Sequence, residues 1–148
     1  MVIYMLDNNL KFCRESIEMT QKELGYVFGV AESTVSGWEN NNDTIPLKKL
    51  VKFCKLYNFS IDFVIGLDRC NKGFKTEIVC DKKLIGYNLK KFRKEKKLNQ
   101  SDIANKLSIS QTALSNYELG ITLITTFSLY TFCKTFNLSM DDMLLKSD

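Results

Sequence analysis

Histidine is absent from all 148 residues of the chain. Its absence removes the commonest general base and the usual partner of a serine or cysteine nucleophile, so most familiar hydrolase mechanisms are disfavoured. Five cysteines, Cys13, Cys54, Cys70, Cys80 and Cys133, make an odd number with no C-x-x-C pair and no imidazole to complete a zinc site. They read as reduced thiols, mostly structural. No phosphate-cradling glycine loop stands out either, so neither an enzyme nor a cofactor or metal is expected. Long apolar runs are missing: stretches such as 63–65 and 143–145 fall far short of the roughly 20 residues that a spanning helix needs. The opening MVIYMLDNN lacks a basic leader followed by an apolar stretch, so it does not read as a secretory signal. The default expectation is a cytoplasmic protein without a membrane partner.

What is present is an ordinary globular composition, 45% hydrophobic, with a formal net charge of +4. The charge is unevenly spread. Residues 1–79 hold ten Lys/Arg and ten Asp/Glu, whereas residues 80–148 hold eleven and seven. Much of the excess is one run, KKFRKEKK at 90–97. A basic stripe of this kind suits nucleic acid phosphates, and it also fits a solvated helix face.

An internal repeat organises the chain. Sliding the sequence by 79 residues aligns 9–66 with 88–145 without a gap. Identical pairs include Leu10/Leu89, Arg14/Arg93, Gln21/Gln100, Ser36/Ser115, Glu39/Glu118, Phe53/Phe132, Cys54/Cys133 and Asn58/Asn137, and Trp38/Tyr117 is conservative. Each copy reads as short helices. In the first, Leu10, Cys13 and Ile17 share one face of a helix ending near Glu18. Thr20-Gln21-Lys22-Glu23 then forms a capping box, and the helix it opens stops at Gly29. A third helix runs from about Glu32 to Asn40 with Val35 and Trp38 inward. Pro46 opens a fourth, and Ser60 caps a short fifth. The segment 74–80 is a candidate for a short extended stretch. The expected class is all-α, with domains at 1–68 and 86–148 joined by a connector at 69–85.

Two helices joined by a tight turn form the helix-turn-helix arrangement, whose second helix enters the major groove. The segments TQKELGYVFGVAESTVSGWEN and NQSDIANKLSISQTALSNYEL resemble the phage-repressor-like (Cro/repressor, or xenobiotic-response-element) helix-turn-helix domains. The resemblance covers about 58 residues twice. It implies two tandem five-helix lambda-repressor-like domains that bind double-stranded DNA as a transcriptional regulator, a repressor by expectation. It further implies phosphate contacts from Gln21 and Gln100, and base reading by Glu32, Ser33, Ser36 and Gly37 in the first copy. In the second copy the readers are Gln111, Thr112, Ser115 and Asn116.

The chemistry favours the second copy. Gln and Asn pair with adenine N6 and N7 together, and Ser and Thr donate or accept. Its basic first helix adds Arg93 as a DNA contact. In the first copy Glu32 brings an anion near phosphates, and Gly37 leaves one reading position bare. Ser108 replaces the turn glycine of the first copy, at little cost if that turn needs no positive φ.

Regulators of this kind bind as dimers, with reading helices about 34 Å apart. A tandem chain is also able to supply both heads itself. The stretch 67–86 spans roughly 66 Å when extended, which suits either geometry. Phe127 and Tyr130 replace Lys48 and Val51 of the first copy and mark a surface for a homodimer, or equally for packing within one chain. The alternative to DNA is a protein-interaction module, antitoxin-like or anti-repressor.

Overall fold

The computed structural model describes residues 6–146. Residues 1–5 and 147–148, which hold the start of the stretch read for a secretory leader and the outer ends of both expected domains, lie outside the described residues. Among the described residues the fold is all helical, with no strand at 74–80 or elsewhere. They divide into two compact units, with the boundary between Phe74 and Lys75.

In the first unit the helices are α1 (Leu10–Ser16), α2 (Gln21–Phe28), α3 (Glu32–Glu39), α4 (Leu47–Tyr57) and α5 (Ile61–Ile65). Local chemistry sets these limits. The Thr20 hydroxyl accepts from the Glu23 amide at 3.1 Å, and the Glu23 carboxylate accepts from the Thr20 amide at 3.3 Å, closing the capping box. Gly29 ends α2 in the left-handed region at φ 66°, where a Cβ is normally disfavoured. Pro46 precedes α4, whose first backbone N–H groups need no partner within the helix. Ser60 caps α5 by accepting from the Phe63 amide. The side chains thus turned inward, Leu10, Cys13, Leu24, Val35, Trp38, Leu50, Phe53, Cys54 and Ile61, form the core.

The second unit holds α6 (Lys82–Glu95), α7 (Gln100–Leu107), α8 (Gln111–Glu118), α9 (Thr126–Phe136) and α10 (Met140–Met143). Leu89, Ile103, Leu114, Leu129, Phe132, Cys133 and Met140 fill the positions of their first-unit counterparts. Tyr117 is only half-buried where Trp38 is buried. Asn99 and Asp102 repeat the capping box.

Two features depart from the sequence reading. Helix α6 starts at Lys82, because the Asp81 carboxylate accepts from the Lys83 and Leu84 amides. Residues 82–85, expected in the connector, are therefore helical. Ser108 ends α7 at φ 55°, so the turn does require a positive φ and serine bears the strain that Gly29 avoids.

Candidate nucleic-acid interface

Each unit sets two helices at a tight turn: α2 leads through residues 29–31 into α3, and α7 through 108–110 into α8. The start of α8 is fastened by the Ser110 hydroxyl, which accepts from the Ala113 amide at 3.0 Å. Helix α3 begins at Ala31, which has no side-chain cap. A missing cap of this kind costs about 1 kcal/mol.

On α8, Leu114 and the Glu118 carboxylate turn inward. Gln111 and Thr112 are exposed, and Ser115 and Asn116 are half-exposed. Among the described residues the side chains of these four form no hydrogen bond, so their amides and hydroxyls are free to pair with an incoming surface. On α3, Glu32 and Ser33 are exposed and Ser36 and Gly37 half-exposed. There the Ser36 hydroxyl already accepts from the Asn40 amide nitrogen at 3.2 Å. The face on α3 is thus smaller, partly spoken for and acidic at its outer end.

Behind each candidate reading helix lies a clamp that joins three helices. In the first unit, Arg14 Nε donates to Glu39 Oε2 at 2.6 Å and Nη2 to Oε1 at 3.0 Å, while Nη1 donates to the Met19 carbonyl at 2.7 Å. In the second, Arg93 Nε and Nη2 donate to Glu118 at 2.7 and 3.0 Å, and Nη1 to the Leu98 carbonyl at 3.1 Å. A bidentate fork of this kind fixes direction as well as distance. The hydrogen bond to Glu39 or Glu118 also raises the pKa of each guanidinium, so the cation is never lost. The glutamine opening the next helix completes the clamp: Gln21 Nε2 donates to Glu39 Oε1 at 3.0 Å, and Gln100 Nε2 to Glu118 Oε1 at 3.1 Å. Each glutamine keeps a second N–H and its carbonyl. Both are half-exposed.

The geometry bears on two expectations. Arg93, expected to touch DNA, commits three of its five N–H donors inside the unit, with its side chain 13% exposed and that of Glu118 2%. Tyr130, expected at a dimer surface or equally in packing within one chain, is 1% exposed, whereas Phe127 is 39% exposed. Sequence reasoning also passed over Glu39 and Glu118 as site residues. The signal was present: both are identical across the repeat and both stand 25 residues after an arginine that is also identical.

The helix-turn-helix family matches residues 10–64, and a second helix-turn-helix domain family matches 86–147. The chain is a tandem helix-turn-helix protein. The first of its domains is of the xenobiotic-response-element type. Over 63 residues the chain is 33% identical to the HTH-type transcriptional regulator YobD of Bacillus subtilis (strain 168), covering 43% of this chain and 56% of that protein. Over 74 residues it is 28% identical to the HTH-type transcriptional regulator ImmR of the same organism, covering 50% and 58%. Over 65 residues it is 36% identical to the antitoxin PezA of Streptococcus pneumoniae serotype 4, covering 44% and 41%. The tandem protein therefore spans about half the length of the curated relatives it matches. No helix among its described residues is long and apolar enough to cross a membrane, and no three His, Cys, Asp or Glu side chains there gather as metal ligands.

Proposed function

We propose that the tandem helix-turn-helix protein is a sequence-specific regulator of transcription, acting as a repressor, that reads the major groove of duplex DNA chiefly with α8. The observation that carries this reading is the row of unpartnered side chains Gln111, Thr112, Ser115 and Asn116 on an otherwise anchored helix. Gln111 and Asn116 suit adenine, and Thr112 suits a thymine methyl or a neighbouring acceptor. Gln100, held by Glu118, offers its second N–H to a phosphate at the edge of the groove, as Gln21 does in the first unit. The first unit, with Glu32, Ser33 and Ser36 on its face, is the auxiliary reader. The functional modules are residues 1–68 and 86–148, the second preceded by the capped turn of α6. A pair of chains, meeting near Phe127, would place two such readers on a site of two-fold symmetry.

Selection of bound sequences from a random duplex pool identifies the site, and titration of that duplex tests the reading. Gln111→Ala with Asn116→Ala is expected to weaken specific binding by about 30-fold or more, on about 1–3 kcal/mol for each of two bidentate pairs. Salt-sensitive binding to unrelated duplex remains. Equal loss on every sequence counts against base reading.

The likeness to an antitoxin supports a second reading, in which the same helices hold a protein. A stoichiometric protein partner whose binding survives a fourfold rise in salt distinguishes that reading from DNA, whose affinity falls steeply with salt.

A further inference from the structure

We propose that the first unit meets the phosphate backbone of duplex DNA through a lysine stripe on α4, in addition to the auxiliary face of α3; the inference rests on the DNA-binding reading above. Lys48, Lys52 and Lys55 are all exposed, and their i, i+4, i+7 spacing sets them on one face of the helix. The opposite face buries Leu47, Leu50, Val51, Phe53 and Cys54, so the stripe is held at a fixed orientation in its unit. A fourth lysine, Lys49, is half-exposed, and α4 contains no carboxylate in its eleven residues.

This arrangement opposes itself. Lys48 lies in the first turn, where the helix dipole is already positive, and Lys48 with Lys52 is a like-charge pair one turn apart. Only Lys55, in the last turn, has the dipole in its favour. Among the described residues none of the three lysines forms an ion pair. Lys52 alone has partners, and they are uncharged: its Nζ donates to the Val27 carbonyl at 3.3 Å and stands 5.4 Å from the Phe28 ring centre. A self-repelling stripe without an internal counter-charge is satisfied by an external polyanion.

Duplex DNA fits its length. Lys48 and Lys55, seven residues apart on the helix, are separated by about 10.5 Å of rise, which matches about three nucleotide steps of one strand at about 3.4 Å of axial rise each. Tyr26, 89% exposed and adjacent in sequence to the carbonyl that Lys52 contacts, extends the surface with a phenol able to donate to phosphate. The stripe belongs to the first unit alone. At the matching positions the second unit carries Phe127, Thr131 and Lys134, with Thr131 buried. The first unit's own candidate reading helix presents Glu32 and the bare Gly37 instead.

The test is the salt dependence of binding by the full chain to the duplex recovered from selection. Each phosphate contact adds about 0.9 to the slope of log affinity against log salt. The variant K48Q/K52Q/K55Q is expected to flatten that slope by about 2 to 3 while leaving the ranking of duplex sequences unchanged. K48R/K52R/K55R should keep the wild-type slope. Glutamine matches lysine as a helix former, and Trp38 fluorescence verifies that the first unit is folded; the single variant K52Q, with an expected change of about 0.9, gives an independent measurement. A change of less than about 0.9 in the triple variant, with wild type still binding its duplex, overturns the stripe and leaves the DNA reading standing. Wild type that binds no duplex overturns both.

Discussion

The two units share an interior and differ at their surfaces. Twelve hydrophobic core positions, from Leu10/Leu89 to Ile65/Leu144, are buried in both, and the Arg–Glu–Gln clamp repeats with distances that agree within a few tenths of an ångström. Outside that shell the units diverge. Helix α1 has seven residues and α6 fourteen, and three exposed lysines of the first unit share α4 (Lys48, Lys52, Lys55) while four of the second share α6 (Lys82, Lys83, Lys91, Lys94). Interior positions of a helical unit are coupled by close packing, so a change at one is felt by its neighbours. Exposed positions are uncoupled and free to take different partners. A duplicated scaffold thereby keeps one way of aiming a helix and acquires two different surfaces.

The sharpest way to break this comparison is to cut the clamp in each unit. Arg93→Ala leaves the Glu118 carboxylate buried without its cation, and Arg14→Ala does the same to Glu39. Each is expected to destabilise its own unit by about 3 kcal/mol. Trp38 is the only tryptophan, so its fluorescence follows denaturation of the first unit while circular dichroism follows both. Arg14→Ala should shift the fluorescence transition and Arg93→Ala should leave it in place. The paired change Arg93→Met with Glu118→Leu is expected to restore most of the loss, because an apolar pair carries no desolvation penalty. Equal effects of Arg93→Ala on both transitions would show that the units do not fold independently.

Next in size are two glycines that face opposite environments. A Cβ on Gly86 would stand 2.2 Å from the Tyr117 carbonyl oxygen and 2.9 Å from that of Glu118, so α6 passes the end of α8 with no room for a side chain. Gly86→Ala is expected to cost about 1–3 kcal/mol. On α3, a Cβ on Gly37 would meet nothing within 4 Å. Gly37→Ala is expected to stabilise the first unit by about 1 kcal/mol, the difference in helix propensity. Thermal melts of the two variants should therefore move in opposite directions.

How far the sequence disclosed this structure follows from which interactions are local. Capping boxes, the Gly29 stop and the Ser60 cap involve residues at most a few positions apart, and they were legible, as was the register of the repeat. The outward polar side of α8 was legible from helical periodicity, since Leu114 and Tyr117 mark its inner side. The clamp at Arg93 was not legible because its partner lies 25 residues away, and a basic run looks the same whether one of its members points outward or into a clamp. The burial of Tyr130 was not legible because periodicity tells which side of a helix is apolar, not how much of that helix is covered; seven of the eleven residues of α9 are buried. The start of α6 was missed because the aligned copies begin only at residue 88, beyond Asp81.

The smallest expected difference concerns the turn between the paired helices, and it tests whether the two turns are interchangeable. Gly29 and Ser108 hold the same position at φ 66° and 55°, and each amide donates back into the helix it ends, at 3.2 Å to Tyr26 and 3.2 Å to Asn105. A Cβ at Gly29 would meet nothing within 4 Å, so the penalty for Gly29→Ser is backbone strain alone, about 1 kcal/mol. The reverse change, Ser108→Gly, removes that strain from the second unit but raises the conformational freedom of the unfolded chain, and its gain is expected to be smaller, below about 1 kcal/mol. Denaturation followed by Trp38 fluorescence for Gly29→Ser and by circular dichroism for Ser108→Gly measures both. If Gly29→Ser is neutral, the turn tolerates a side chain as readily in the first unit as in the second, and the glycine there is not what ends α2.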